Sequence, residues 1–331
     1  MAFDKLLGQE TAIRLLKDDL DSGRIHHAYL FTGKKGVGKR TLALEFARAL
    51  FCHGQEGEAC GNCLACRKID HSNHPDLSIV RISEGDSIKI EQIRELQREL
   101  AFRPYEGQWK VFIIEDADKM TPEAANSLLK TLEEPPAYGL IILLARETES
   151  LLPTIISRCH LIQLNPLSAE NIEQLLLEAG YGDKEKVRLI AGLAAGSPGE
   201  AIKLMEDEDF FQQREKLYDF LARLPELTEL DVFQYVDELH GFINNKEDFP
   251  TFNLILNWYR DIILYRMACP EQVVNSDYLD YYSRLCEYYS LEELLSVMDL
   301  VNTIKRYIDS NVKVDLALQV MFLKIRTKRV N

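Results

Sequence analysis

Residues 33–41 read GKKGVGKRT, directly after the apolar run HHAYLFT at 26–32. A strand that runs into a glycine-rich turn and out into a helix is the setting in which backbone N–H groups cradle phosphate. There a Lys reaches the β and γ oxygens, and a Ser or Thr hydroxyl holds magnesium, in the pattern G-x-x-x-x-G-K-[ST]. Gly33, Gly36, Gly38 and Lys39 supply the turns and the cation, but Arg40 stands where the hydroxyl belongs and Thr41 comes one residue late. One residue on a helix is about 100° of rotation, so Thr41 is expected to point away from the metal position. The stretch decides the fold and leaves nucleotide turnover in question.

Outward from the loop, strands and helices alternate. Helical spacing covers 10–21 (Ala12, Ile13, Leu15, Leu16, Leu20), and a helix follows the loop over 39–51. LSIVRI (77–82) reads as a strand, 89–101 as a long charged helix, and WKVFIIEDAD (109–118) as a buried strand ending in acids. The helix over 121–134 stops at Pro135-Pro136, LIILLA (140–145) is another strand, and helix-forming sequence continues to Cys159. This alternation predicts a parallel α/β sheet with its chemistry at the C-terminal ends of the strands. After about Pro166 the strands stop. Residues 167–207 read as a small helical unit and 208–331 as a separate all-α domain, which makes 1–166 the α/β domain. The stripes of Tyr278, Tyr281, Tyr282, Tyr288 and Tyr289 in the last domain read as core or subunit interface.

Composition narrows the function classes. Of 331 residues, 46% are apolar and 28% charged, and no 18-residue uncharged apolar run is present. The start, MAFDKLLGQE, carries acids and no apolar signal segment, which predicts a cytoplasmic protein. Lys and Arg number 39 against 53 Asp and Glu, a net charge of −14. A surface of that sign does not grip nucleic acid as a whole, since phosphate contacts need clustered cations. A local patch, or contact made by partners, stays open.

Four of the seven cysteines crowd into Cys52-x7-Cys60-x2-Cys63-x2-Cys66. Such clustering in a cytosolic chain points to metal thiolates rather than disulfides. CGNCLAC supplies Gly61 and Asn62 for the turning backbone that a four-cysteine zinc site needs. Four protein ligands leave no open position, so the site is read as structural. An iron–sulfur cluster is the runner-up, although the ferredoxin run places its fourth Cys downstream and before Pro. Free thiols in a loop are the remaining reading. A zinc-dependent DNA-binding module is weak, because no basic stripe flanks the cluster.

A working ATPase also needs an acid at a strand end for magnesium and a carboxylate to polarise water. Glu115 and Asp116 stand there, in the reverse of the usual Asp-Glu order, and errors near 1 Å can cost roughly a hundredfold. Solvated strand-end charge is the bland alternative. HHAYLFTGKKGVGKRT, the four-Cys insertion, KVFIIEDADKMTPEAANSLLKTLEEPP, LLPTIISRC and GSPGEA occur in one order. Together they resemble the AAA+ clamp-loader subunits of bacterial DNA polymerase III, over residues 1 to about 205. LLKTLEEPP and Ser157-Arg158-Cys159 are the most specific pieces.

The resemblance implies an AAA+ domain, a small lid and a helical collar. It further implies a five-subunit ring that binds ATP between subunits, opens the sliding clamp and places it on primed DNA. The family's motor branch (tau/gamma) has an intact loop, an Asp-Glu pair, a polar sensor and a lid arginine. Here the sensor falls near Arg146 or Glu147 and the lid arginine position is Gly199. The chain is also short, without the Pro-rich, basic extension of the longer motor form. These departures point to the delta prime branch, a subunit idle at its own loop within a holoenzyme that polymerises DNA. Its partners would be motor and delta subunits. Arg158 would then reach a neighbour's γ-phosphate, zinc would be structural, and ATP with Mg²⁺ would sit at a neighbour's site or bind weakly here. The competing readings are an ATPase in its own right, a loop that binds without turnover, and, for Arg158, a helix-end arginine on the C-terminal dipole.

Overall fold

The computed structural model describes residues 6–54, 59–240, 251–310 and 312–327; residues 55–58 of the cysteine loop therefore lie outside it. The chain forms two compact units. The first holds residues 1–187 and 194–203, the second residues 188–193 and 204–331.

The first unit is a five-stranded sheet in the order β2-β3-β4-β1-β5, every pairing parallel. Its elements run α1 (Glu10–Ser22), β1 (Ala28–Thr32), α2 (Lys39–Phe51), α3 (Leu64–Asp70), β2 (Leu77–Val80), α4 (Ile90–Leu100), β3 (Lys110–Ile114) and α5 (Pro122–Glu133). Then come β4 (Gly139–Ala145), α6 (Pro153–Ile156), β5 (His160–Gln163), α7 (Ala169–Glu178), the first part of α8 (Lys184–Leu193), and α9 (Pro198–Glu206) up to Lys203. The middle strands β1, β3 and β4 are buried along their whole length, as uninterrupted apolar runs covered on both faces should be. Leu96, Leu100, Leu128 and Leu132 from α4 and α5 pack with Leu30, Phe112, Ile114 and Leu143 of the sheet. Phe46 of α2 meets Tyr29 edge-on at 5.0 Å. Caps fix the helix starts: Thr121 Oγ1 accepts from Ala124 N, with Pro122 at the first helical position.

Two elements differ from the sequence reading. The helix after β4 is only α6, and the residues from His160 form β5 at the sheet edge, paired with β1. The cysteine run also contains a short helix, α3.

The second unit is all helical, from the end of α8 and of α9 through α10 (Phe210–Arg223), α11 (Glu229–His240), α12 (Thr251–Arg266), α13 (Leu279–Tyr288), α14 (Leu291–Asp309) and α15 (Val314–Arg326). Its core centres on Trp258, ringed by Tyr218, Tyr278 and Tyr282 at 4.8–5.3 Å. Tyr278, Tyr282 and Tyr289 are buried, while Tyr281 and Tyr288 are half-buried. Arg214 is buried here but answered, by both oxygens of Asp277 and by Asn275, and burying such a charge unpaired would be prohibitive. Among the described residues no helix is long and apolar enough to cross a membrane.

Candidate functional site

The register of the sheet builds the site. Thr32 of β1 lies beside Ala145 of β4 and Gln163 of β5, so the residues leaving these strands emerge together. Gly33 N then donates to Arg146 O at 3.1 Å, and Leu164 N to Thr32 O at 2.8 Å. The loop turns through glycines with positive φ, at +75° for Gly36 and +107° for Gly38, which starts α2.

Four successive loop carbonyls accept from the protein itself. Lys39 Nζ donates to Gly33 O (2.5 Å) and Lys34 O (2.9 Å). Ser197 Oγ donates to Lys35 O, and Gly199 N to Gly36 O, both at 2.9 Å. The start of α9 is thus closed onto the loop, and the closure needs glycine on both sides. A Cβ on Gly36 would meet Ser197 Oγ at 2.4 Å, and one on Gly199 would meet Gly36 Cα at 3.0 Å. Gly199→Arg, which would restore the motor's residue type, should therefore cost about 1–3 kcal/mol of stability by overpacking. Urea unfolding of the variant checks this; an unchanged midpoint would show that the contact yields freely.

The altered residues at the loop's end form one ion cluster. Arg40 Nε lies 2.8 Å from Glu115 Oε1, and Arg81 Nε 3.2 Å from Oε2. Glu115 is therefore held between two guanidinium groups, one of them supplied from the position of the missing hydroxyl. A guanidinium stays charged at any ordinary pH, so Glu115 faces two permanent cations. The donor set does not fit magnesium: its hydroxyl has become a cation and its carboxylate is already neutralised.

Asp116 is exposed with left-handed backbone (φ +49°). Asp118, the third acid of IIEDAD, was not singled out by sequence, yet its Oδ1 accepts from Arg146 N at 3.3 Å. Burial pushes Lys39 down to about 8, while Asp118 and Asp116 pull it back up. Lys39, Arg40, Thr41, Glu115, Asp116, Arg146 and Gly199 line one cavity of about 280 Å³, just below the roughly 300–1,000 Å³ usual for ligand sites. Thr41 reaches it as an exposed residue. Arg81 and Ser197 are also absent from the sequence reading. Ser197 carries a local signal, since SPGE is a helix-start pattern and its Oγ accepts from Glu200 N at 3.2 Å.

Arg158 is not part of that cavity. It follows α6, where Nη1 donates to Thr154 O at 2.9 Å and Nη2 to Glu133 Oε1 at 2.8 Å. Its side chain keeps 35% exposure.

The cysteines converge. The Sγ atoms of Cys52, Cys60, Cys63 and Cys66 all lie within 4.8 Å of one another, with Cys52 and Cys63 at 4.0 Å. Zinc–sulfur bonds of about 2.3 Å make a tetrahedron with edges of about 3.8 Å, so the cluster needs little contraction to close on zinc. Backbone N–H groups of Cys60, Cys63 and Cys66 point at the sulfurs of Cys52, Cys60 and Cys63 at 3.2–3.4 Å. Such donors stabilise thiolates. The residues fit a four-coordinate structural metal.

The chain resembles known proteins over most of its length. A family model described as "DNA polymerase III, delta subunit" matches residues 8–168, and one for the C-terminal part of that subunit matches 208–327. DNA polymerase III subunit delta' of Bacillus subtilis is 34% identical over 270 residues, 81% of each chain. The tau/gamma subunit of Haemophilus influenzae is 39% identical over 175 residues, 53% of this chain and 25% of the relative. Among solved structures, a gamma subunit-related protein of Thermotoga maritima superposes with a TM-score of 0.52 at 21% identity, covering 97% of this chain and 99% of its own. That likeness shows the fold.

Proposed function

The chain belongs to the clamp-loader subunits of DNA polymerase III, delta prime-like by its relatives, and from that premise we propose an idle-loop stator of the loading ring. The subunit assembles with motor (tau/gamma) and delta subunits in a pentamer, in the cytoplasm. It turns over no nucleotide at its own loop and lends Arg158 to a neighbour's ATP site while the sliding clamp is placed on primed DNA. Residues 1–166 serve as the AAA+ domain, 167–207 as the lid and 208–331 as the collar that assembles the ring. Cys52, Cys60, Cys63 and Cys66 hold one structural zinc.

The Arg40–Glu115 ion pair supports the idle loop more than any other observation. Phosphoryl transfer works largely through positioned metal and charge, and the residues at the two metal-holding positions are here engaged with each other. Gly33, Gly38 and Lys39 keep the shape of an anion cradle without the parts that turn it over. Lys39→Ala should accordingly leave clamp loading by the reconstituted complex within about twofold, whereas the same loss of the β/γ-phosphate contact abolishes turnover in a motor. Loading assays with the complete complex decide it; a fall beyond about tenfold, or steady ATP hydrolysis by this chain alone, would remove the idle-loop reading.

A further inference from the structure

Apart from the loop and the thiolates, the described residues bring together a second set of metal-ligating side chains. Asp19 near the end of α1, His26 just ahead of β1 and His160 at the start of β5 each place a donor atom within 4.8 Å of the other two. No step of clamp loading argued above uses them. We propose that Asp19, His26 and His160 form a binding site for a divalent transition-metal ion, zinc foremost, with coordination positions left open to water.

The donor chemistry sets the class of ion. Two imidazoles and a carboxylate suit a borderline ion such as zinc, and three protein ligands leave the sphere incomplete, unlike the closed four-sulfur cluster. The surroundings are built as metal ligands are usually supported, by a partner behind the carboxylate. Tyr29, fully buried, donates its hydroxyl to Asp19 Oδ2 at 2.8 Å and accepts from His26 N at 3.2 Å. The other oxygen, Oδ1, is left facing His26 Nε2 at 4.0 Å. The Tyr29 ring also stands edge-on to both imidazoles, at 5.7 Å and 5.6 Å. His160 Nε2 is buried and meets no hydrogen-bond partner among the described residues, an unmade bond with a desolvation cost.

One adjustment is required. The His26 and His160 rings stack at 4.4 Å with planes 7° apart, and lone pairs of parallel rings do not converge on one ion. His26, whose side chain is 47% exposed, would leave the stack and turn toward Asp19, while Tyr29 holds the carboxylate in place. The bound ion would tie α1 to β5, the edge strand that begins two residues after Arg158.

The test titrates zinc ion into untagged full-length chain whose cysteine cluster is already zinc-saturated, read by calorimetry and by thermal melting. The expected result is one further equivalent and a raised melting temperature. His26→Ala and His160→Ala should each weaken that equivalent by about tenfold or more, and Tyr29→Phe by about tenfold, the usual effect of removing an outer-shell partner. His27→Ala, a neighbour outside the set, should leave it unchanged. If His160→Ala fails to fold, the exposed His26→Ala decides alone. Absence of a further equivalent, or one indifferent to His26→Ala, would overturn the proposal and leave a stacked imidazole pair.

Discussion

Arg158→Ala should slow ATP hydrolysis in the assembled complex while leaving the fold, metal content and ring assembly of this chain intact. The guanidinium is planar, permanently charged and able to meet phosphate oxygens at two points, and an arginine reaching a γ-phosphate in trans can be worth roughly 10³–10⁵ in rate at the site it borders. In the single chain this arginine is not idle: it spans Thr154 O and Glu133. Both contacts are exposed, and exposed ion pairs contribute about 0–1 kcal/mol, far less than roughly 4–7 kcal/mol, the equivalent of 10³–10⁵ in rate. Releasing Glu133 would therefore cost little beside what the arginine would supply in the neighbour's transition state. Loss of the pair alone should leave the chain's stability almost unchanged.

Two further variants separate the trans role from a local one. Arg158→Lys keeps the charge but not the fork, and should recover only a small part of the rate. Glu133→Gln releases the arginine without removing it, and should leave hydrolysis at or above the wild-type rate. Total hydrolysis should fall only by the share of the bordering site, because the other sites keep their own arginines. Steady-state ATPase and loading rates of complexes assembled at equal stoichiometry measure all three. Equal rates for Arg158→Ala and wild type would reduce Arg158 to a helix-end cap.

How far the sequence carries depends on the range of the contact. β1, the glycine loop and α2 are legible because an apolar run, turn residues and a helical period follow one another within 26 residues. β5 is not, because HLIQ is a four-residue edge strand with only Ile162 fully buried, so it shows no apolar run. Arg40 and Glu115 look in sequence like two separate losses. In space they meet, as one ion pair across 75 positions. Gly199 likewise reads as a lost arginine, although its packing against Gly36 leaves no room for a side chain without movement. Asp118, Arg81 and Ser197 escape notice because their partners Arg146, Glu115 and Lys35 lie 28, 34 and 162 positions away in loops at the strand ends, although SPGE does mark Ser197 as a helix start.

Removing the metal from the cysteine cluster should melt residues 52–66 and leave the sheet folded. Structural zinc binds with apparent free energies on the order of 10 kcal/mol, and that energy is local folding energy where no other core exists. Among its described residues the segment buries only Ala59, Ala65 and Cys66, while Cys60 is exposed and Gly61 turns in open space at φ +73°. What flanks it is anchored independently. Phe51 stacks on His74 at 4.1 Å, and Arg48 joins Glu45 to Asp70 in a chain of ion pairs at 2.5 Å. Hydrogen exchange after chelation should therefore rise over the cysteine loop and the first turn of α3, and stay slow in β1, β3 and β4. Acid should act in the same direction as chelator, because zinc holds thiolates and protons compete for them; metal loss grows as pH falls and reverses as it rises. Cys60→Ser should reproduce the local effect with the sheet intact. The outcomes that sink the reading are iron in place of zinc, less than about one equivalent of metal in native protein, or unchanged exchange over 59–66 after chelation.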